Sequence, residues 1–518
     1  AVSQYQSGEK KVFGFLMGQC TKSLRGVCTP STIKELLETK LAEAKPAVTA
    51  EESADKANAA EEVKSVECTK FTNPNQYIPE KKDGITQINT DHLLHEFDFS
   101  DAADHIGEEI SLRACVHKIR QMSGFAFLIL RTGRYLIQSL YVPEQCKDSI
   151  TGLREGNFVW VRGKVTKNEK AVGGVELQLS ALEVIANCNE EYPLKVSNKK
   201  LGCALDINLD NRSVALRNIY ERAIFKIQEG VVGGFREFLI GQGFTEIHTP
   251  KIVEGGANIF HLEYFDKPAF LNQSPQFYKQ TAVAFFDRVF EIAPVYRAEK
   301  HATSRHINEY IGLDFEMGYI DSMYDVMAME TACLRYVMEY LKKHYAFELE
   351  LLEADVPVIR DIPSVTLLEA KEILGNKGSK NKLDLEPEDE VAICEYAKKT
   401  FDSDFIFVTH FPSSKPPFYA MNSREDPRLA YKFDLLFRGL EITSGGQRIH
   451  DYQEQLDKMH AQGLDPEDFK YYLEAHKYGL PPHGGLGIGL ERLVMKLLGL
   501  SNVRQASMFP RDINRLLP

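Results

Sequence analysis

From about Ile110 the chain alternates apolar and polar residues in short runs. Ile110, Leu112, Ala114 and Val116 fall on one side of an extended chain, and Val175, Leu177 and Leu179 are spaced by Glu176, Gln178 and Ser180. A period of two belongs to a strand with one buried face. Phe125–Leu130, Tyr135–Val142 and Phe158–Val165 are further strand-like runs, separated by glycines or charged turns. Five short strands in such a compact stretch predict a small closed barrel, because closure leaves no open sheet edge. Then the period changes. Leu216, Ile219, Ala223, Ile227 and Val231 form the stripe of a long amphipathic helix, which Gly241 and Gly243 end. Phe244–Pro250 reads as a strand. Beyond it, helices and strands mix without the alternation of a parallel sheet. That predicts an α+β domain built on an antiparallel sheet flanked by helices. Residues 350–400 read as a helical insertion on it.

A chain of 518 residues, 43% hydrophobic and 26% charged, has material for about three domains. The boundaries expected are an N-terminal extension over 1–104, the barrel over 105–188, a polar hinge over 189–210 and the larger domain over 211–518. Residues 31–70 contain no aromatic residue and are rich in Ala, Glu and Lys. Such a stretch cannot bury enough surface to offset its ordering entropy, so it reads as linker or tail. No apolar run reaches the length of a membrane helix, so no membrane role is expected. Nine cysteines without a C-x-x-C pair exclude a disulfide scaffold and a recognisable zinc site, and suggest reduced thiols in a cytoplasmic protein. The net charge of −12 argues against indiscriminate coating of nucleic acid. Residues 108–185 reverse that sign, with 11 Lys and Arg against 8 Asp and Glu. An oligonucleotide-binding (OB) barrel of this size with a nucleic-acid face fits both facts.

Three stretches carry candidate chemistry. Gly484–Arg492 alternates glycine with apolar residues and ends in Glu491 and Arg492. It lacks the Gly-Lys-Ser/Thr ending of a phosphate loop. Alone it is a strand-to-helix turn, but Arg492 stands where a guanidinium can reach a phosphate that small residues let approach. Val295–Glu299, then Arg305 and His306, then Gly312–Glu316 read as strand, polar loop and strand delivering two arginines to one place. Arg297 sits between apolar neighbours, and a buried cation needs an anionic partner. In Gly439–Arg448, Glu441, Ser444 and Arg448 supply an acid, a hydroxyl and a cation; Glu with Ser is a plausible magnesium pair when phosphates complete the shell.

Together these stretches resemble the class II aminoacyl-tRNA synthetases. Phe235–Pro250 looks like their first motif, Tyr296-Arg297-Ala298-Glu299 their second and Gly487–Arg492 their third. An N-terminal OB barrel marks the aspartate, asparagine and lysine subclass. Gln273-Ser274-Pro275-Gln276 with Lys279, Glu254-Gly255-Gly256, Arg305-His306 and Gly312-Leu313-Asp314 resemble its eukaryotic and archaeal aspartyl members. The resemblance spans about residues 105–518. The first 90 residues match no recognised pattern, and Lys300 and His301 depart from the usual second-motif loop. A class I synthetase is excluded: His105-Ile106-Gly107 begins its signature, but Glu108 ends the match.

The resemblance implies an ATP-dependent aspartate–tRNA ligase that forms aspartyl-adenylate and transfers it to the 3′ end of tRNA(Asp). In its terms Arg297 and Arg492 are catalytic, Arg297 holding the α-phosphate and reacting carboxylate. Aspartate binding falls to Glu254, Gln276, Lys279, Arg297, Asp314, Ser444 and Arg448. Lys279 and Arg448 surround the β-carboxylate, and two cations in a dry pocket call for an anion. ATP falls to Arg297, Glu299, Arg305, His306, Phe315 stacked on adenine, Glu441, Gly489 and Arg492. Mg²⁺ is held by Glu441 and Ser444, and anticodon bases meet Phe127 and Gln138, although Phe125 and Ile129 share an alternation that would make Phe127 core. A homodimer through the apolar element Phe235–Pro250 is expected. The open alternatives are the sister asparagine enzyme and a non-catalytic tRNA-binding paralogue. Membership of a larger synthetase complex is not legible.

Overall fold

The structure is a computed structural model, and it describes Phe13, Met17, Lys34, Leu37, Lys81, Lys82, residues 84–86, 99–254 and 259–518. The expected linker at 31–70 lies almost wholly outside the described residues, as do Gly255 and Gly256.

The first domain is a closed five-stranded barrel of β1 (Glu109–Gln121), β2 (Ala126–Thr132), β3 (Tyr135–Tyr141), β4 (Phe158–Lys167) and β5 (Val175–Ala186), in the order β1-β2-β3-β5-β4. Only β3 and β5 pair in parallel. The period of two does what it predicts: Ala126, Leu128 and Leu130 are fully buried in the barrel, with Val116, Ile137, Val161 and Leu177 from the other strands.

The larger domain carries an eight-stranded sheet. Its strands are β6 (Thr245–Glu246), β7 (Arg288–Tyr296), β8 (Glu309–Gly318), β9 (Ser364–Thr366), β10 (Phe405–Thr409), β11 (Lys432–Phe437), β12 (Leu440–Gln447) and β13 (His483–Gly489). Their order is β9-β10-β11-β12-β13-β8-β7-β6. The six central strands are antiparallel, and only the edge pairs β9–β10 and β7–β6 are parallel.

Helices cover the sheet. Of α1 (Ile219–Gly241), α2 (Gln276–Phe286), α3 (Met323–His344) and α4 (Ala346–Leu351), the first and third pack together. Asn218 caps α1 by accepting from the amides of Tyr220 and Glu221. Gly230 lets α3 approach, since a Cβ there would meet Leu341 and Tyr345 side chains at 2.6 and 2.7 Å. α5 (Leu367–Leu374) and α6 (Pro387–Phe401) pack with β10 around a smaller core of Leu367, Ile393 and Ile406. α7 (Tyr452–Ala461), α8 (Lys470–Tyr478) and α9 (Leu490–Leu497) complete the domain.

Phe244–Pro250 is a correction. Only Thr245 and Glu246 form a strand, because side chains take over the backbone after them. Thr249 donates its amide and its hydroxyl to the Glu291 carboxylate at 2.7 and 2.8 Å, and the Asn272 amide donates to the Pro250 carbonyl at 3.2 Å. Phe235, Leu239 and Phe244 also point into their own core rather than outward.

The barrel meets the larger domain through the β2–β3 hairpin. Tyr135 packs on Phe347 with centroids 5.4 Å apart, and Arg134 Nη1 lies 3.5 Å from the buried carboxylate of Glu348.

Candidate active site

A cavity of about 330 Å³ opens on the face of the sheet formed by β8, β12 and β13, under the loop after β7. It brings together Gln276, Lys279, Arg297, Glu299, Arg305, His306, Asp314, Glu441, Ser444, Arg448, Gly489 and Arg492, which were expected from sequence.

Its deep end is a closed set of charges. Lys279 from α2 donates to Asp314 Oδ1 at 2.9 Å and to the Leu486 carbonyl at 2.7 Å, and lies 3.4 Å from Glu316 Oε2. Arg448 Nε donates to Glu316 Oε1 at 2.9 Å, while Nη2 donates to the Gly485 carbonyl at 2.8 Å. Burial pushes the Glu316 carboxyl up, but Arg448 and Lys279 outweigh it and hold it below the ordinary range. The two cations are therefore not awaiting a first anion, as the sequence suggested. Glu316 already bridges them, and Asp314 balances the second.

The glycines of β13 make this possible. Asp314 pairs across the ladder with Gly487, and Glu316 with Gly485. A Cβ on Gly485 would stand 2.2 Å from Glu316 Oε2, so only glycine leaves that carboxylate its space. Gly484–Gly489 thus lies within a strand that houses carboxylates, and the turn into α9 comes after it.

The outer end is more open. Arg297, just past β7, is not buried as its neighbours implied: its side chain is 47% exposed, 3.7 Å from Glu299 and with its guanidinium 5.7 Å from the Tyr310 ring centre. Arg492, in the first turn of α9, donates to the Glu441 carbonyl at 3.0 Å. Arg305 is paired with Glu390 from α6. His306 Nδ1 lies 2.6 Å from the Thr303 hydroxyl, and burial followed by Arg492 lowers its pKa.

Glu441 and Ser444, three residues apart, would face opposite sides of a regular strand. Ile442 is an extra residue in β12: Leu435 pairs with Thr443 and Leu436 with Glu441. That bulge turns both side chains to the cavity. Asp434, opposite Ser444, is, like Glu316, a residue that sequence reasoning missed. Burial pushes it up to about 6 against the opposing pull of Lys432, whose ammonium is 2.6 Å away, and its Oδ1 has no hydrogen-bond partner. Among the described residues, no three His, Cys, Asp or Glu side chains form a ready metal cage. An oxygen set of Glu441, Ser444 and a half-satisfied Asp434 nevertheless fits a Mg²⁺ whose shell phosphates and water complete.

Two expected residues lie elsewhere. Phe315 is fully buried against Phe244 on the other side of the sheet, because Asp314 and Glu316 take the cavity side of β8. It cannot stack on a ligand in this cavity. Glu254 is exposed and outside the cavity wall. On the barrel, Phe127 faces outward, half-buried, with its ring edge on Phe125, so it is not core. Gln138 shares that outer face and donates its amide to Glu176 at 2.6 Å.

Comparison with known proteins agrees with this geometry. The family described as class II tRNA synthetases (D, K and N) matches residues 204–513, and an OB-fold nucleic-acid-binding domain matches 110–185. Residues 1–41 match a GatB domain, a likeness that sequence reading missed. An aspartate–tRNA(Asp/Asn) ligase of Deinococcus radiodurans is 45% identical over 80% of this chain and 97% of its own. An aspartate–tRNA(Asp) ligase of Pyrococcus horikoshii is 39% identical over 80% of this chain and 97% of its own. The asparaginyl-tRNA synthetase of Pyrococcus horikoshii, solved with asparaginyl-adenylate, superposes with a TM-score of 0.76 at 29% identity, covering 82% of this chain and 100% of that one.

Proposed function

The chain belongs to the class II tRNA synthetases that serve aspartate, lysine and asparagine, and from that membership we propose how its cavity works as an aspartate–tRNA ligase. ATP activates L-aspartate, and the aspartyl group passes to tRNA. In the first step a carboxylate oxygen of aspartate bonds to the α-phosphorus of ATP and the bridge to the β-phosphate breaks, releasing pyrophosphate. In the second, a hydroxyl of the terminal ribose attacks the adenylate's carbonyl and AMP leaves. No protein nucleophile is needed, so the protein supplies position and charge.

Arg297, in the outer end of the cavity, would face the charge that develops between carboxylate and α-phosphate. Arg492 takes the outer phosphates. Asp434, Glu441 and Ser444 would hold a Mg²⁺, which would shield phosphate charge. Gln276 and Asp314 orient the α-ammonium.

The carrying observation is the pair of buried cations at the deep end. Lys279 and Arg448 both line the cavity, held in place by Asp314 and Glu316. Their N–H donors suit the side-chain carboxylate of aspartate; the amide of asparagine would turn N–H groups towards donors, and a site left with unmet polar groups rejects an analogue by up to about 10⁴–10⁵. ATP–pyrophosphate exchange with each standard amino acid is the test. Exchange with asparagine within tenfold of aspartate would defeat this assignment.

The protein would work as a homodimer in the cytosol on tRNA(Asp). The exposed apolar side chains Ile240, Phe285 and Phe286 offer the dimer surface. The Arg288 guanidinium, donating to the Gln242 carbonyl at 3.1 Å, draws these segments together. Phe127 and Gln138 present the anticodon face.

A further inference from the structure

Behind the aspartate end a chain of buried polar side chains runs inward from Gln276, and beyond Gln276 the reaction above does not use it. Gln280 and His483 are fully buried, Gln276 and Tyr472 nearly so, and neither Gln280 nor His483 lines the cavity. The direction of every hydrogen bond in the chain is set by two backbone carbonyls, which can only accept.

At one end, His483 Nδ1 lies 2.9 Å from the Pro481 carbonyl, so that nitrogen carries the proton. Burial holds this imidazole down to about 4, so the ring is neutral and Nε2 is an acceptor. The Gln280 nitrogen, 3.0 Å away, must donate to it. At the other end Gln455 donates to the Phe418 carbonyl at 3.1 Å, so its oxygen accepts from the Tyr472 hydroxyl at 3.2 Å. Tyr472 is then free to accept from the same Gln280 nitrogen at 3.3 Å. Both ends impose one orientation on Gln280: nitrogen away from the cavity, oxygen towards Gln276. The Gln276 nitrogen donates to that oxygen at 3.0 Å. Its own oxygen is left towards Arg448, at 3.4 Å the longest link, and towards the cavity.

We propose that Gln280 and His483 are positioning residues that lock the Gln276 amide with its oxygen towards the substrate, so that this corner accepts a hydrogen-bond donor and nothing else. An amide oxygen has two lone pairs. Arg448 engages one weakly, and the α-ammonium of the amino acid takes the other. The inference rests on the aspartate site proposed above. It adds that the site's polarity is set in advance by side chains that never touch the ligand, whereas an amide free to rotate would have to be turned oxygen-first each time the ammonium binds.

The test uses the full-length chain, with aspartate-dependent pyrophosphate exchange for KM and kcat, and succinate, which is aspartate without its ammonium, as a competitive inhibitor. His483→Phe and Gln280→Leu are expected to raise the aspartate KM about 10–100-fold, the worth of one hydrogen bond to a charged group. The ATP KM and the succinate inhibition constant should stay within about twofold, because neither ligand uses this corner. Gln280→Glu keeps the acceptor for Gln276 and draws a proton to His483 Nε2, so it should hold the aspartate KM within about fivefold of native. An unchanged aspartate KM in the first two variants would overturn the proposal. So would an equal weakening of aspartate and succinate, the mark of a merely structural role. Absence of aspartate-dependent exchange in the native chain would instead overturn the reading of the site itself.

Discussion

Arg297 and Arg448 face the same cavity, yet they are held so differently that their loss should separate chemistry from binding. Arg297 reaches into open space beside Glu299 and a tyrosine ring, contacts that contribute little to folding. Arg297→Ala is therefore expected to lower pyrophosphate exchange by about 10³ or more, as removal of a preorganised donor does, with the thermal midpoint unchanged. Native exchange rates in that variant would refute its role. Arg448 is buried on Glu316, and taking away one partner of such a pair costs roughly 3–5 kcal/mol because the other charge is stranded. Arg448→Leu should thus melt earlier as well as bind aspartate poorly, with kcat/KM down about 100-fold or more, chiefly through KM. A silent substitution would mean that the Lys279–Glu316–Arg448 set is scaffold only.

At the scale of elements, the sheet depends on what its helices bury. Glu330 on α3 is fully buried; it accepts from the Thr443 hydroxyl at 2.6 Å, directly beneath the bulge that aims Glu441 and Ser444, and its other oxygen has no partner. Burial pushes it from 4.5 up to about 8. The folded state holds this proton more tightly than the unfolded chain, so its stabilisation is complete below about pH 4.5 and is lost as pH rises through 8. Glu330→Gln keeps an oxygen for Thr443 and removes the titration. It should match the native chain near pH 5 and exceed it at pH 9 by on the order of a few kcal/mol in denaturant melts. Equal pH dependence in the two proteins would contradict this. The same elements show how far the sequence could be read. Barrel strands were legible because each buries one face, as Leu128 and Leu130 do while Phe127 does not. Phe315 was misassigned although its period was visible: Asp314 and Glu316 alternate with it, and Gly485 and Gly487 repeat the spacing on the facing strand. The Ile442 bulge left no such trace, since an extra residue shows only when the partner strand is in place. Asp434 was hidden for the same reason, its meaning lying in Ser444 opposite.

At the scale of the molecule, barrel and sheet have separate hydrophobic cores, and the domains meet at contacts such as Arg134–Glu348 and Tyr135–Phe347. A defect on the outer barrel face should therefore stay there. Phe127→Ala is expected to weaken tRNA charging by about 1–3 kcal/mol, the worth of one stacked base, while amino-acid activation is spared. Equal losses in both assays would show that the ring supports the fold. Self-association is a separate property of the larger domain. Light scattering at micromolar concentration should give twice 58.7 kDa, and Phe285→Glu with Phe286→Glu should shift it to the monomer. A native chain that remains a 58.7 kDa monomer would rule out the dimer.

The position of the last strand bears on how the protein is made. His483–Gly489 is the last of the sheet's strands in chain order, yet it lies in the middle of the sheet between Leu440–Gln447 and Glu309–Gly318. The barrel strands all precede residue 187 and can close while the ribosome is still at work. The catalytic sheet cannot. Until that strand emerges, its two halves wait with open inner edges, one on each side of an empty track. At roughly 5–20 residues per second, the interval between β8 and β13 is on the order of ten to thirty seconds. A truncated product lacking that strand would be two sticky half-sheets rather than a weakened enzyme. Nonsense or frameshift lesions between the barrel and that strand should leave a folded barrel tethered to an aggregating remainder.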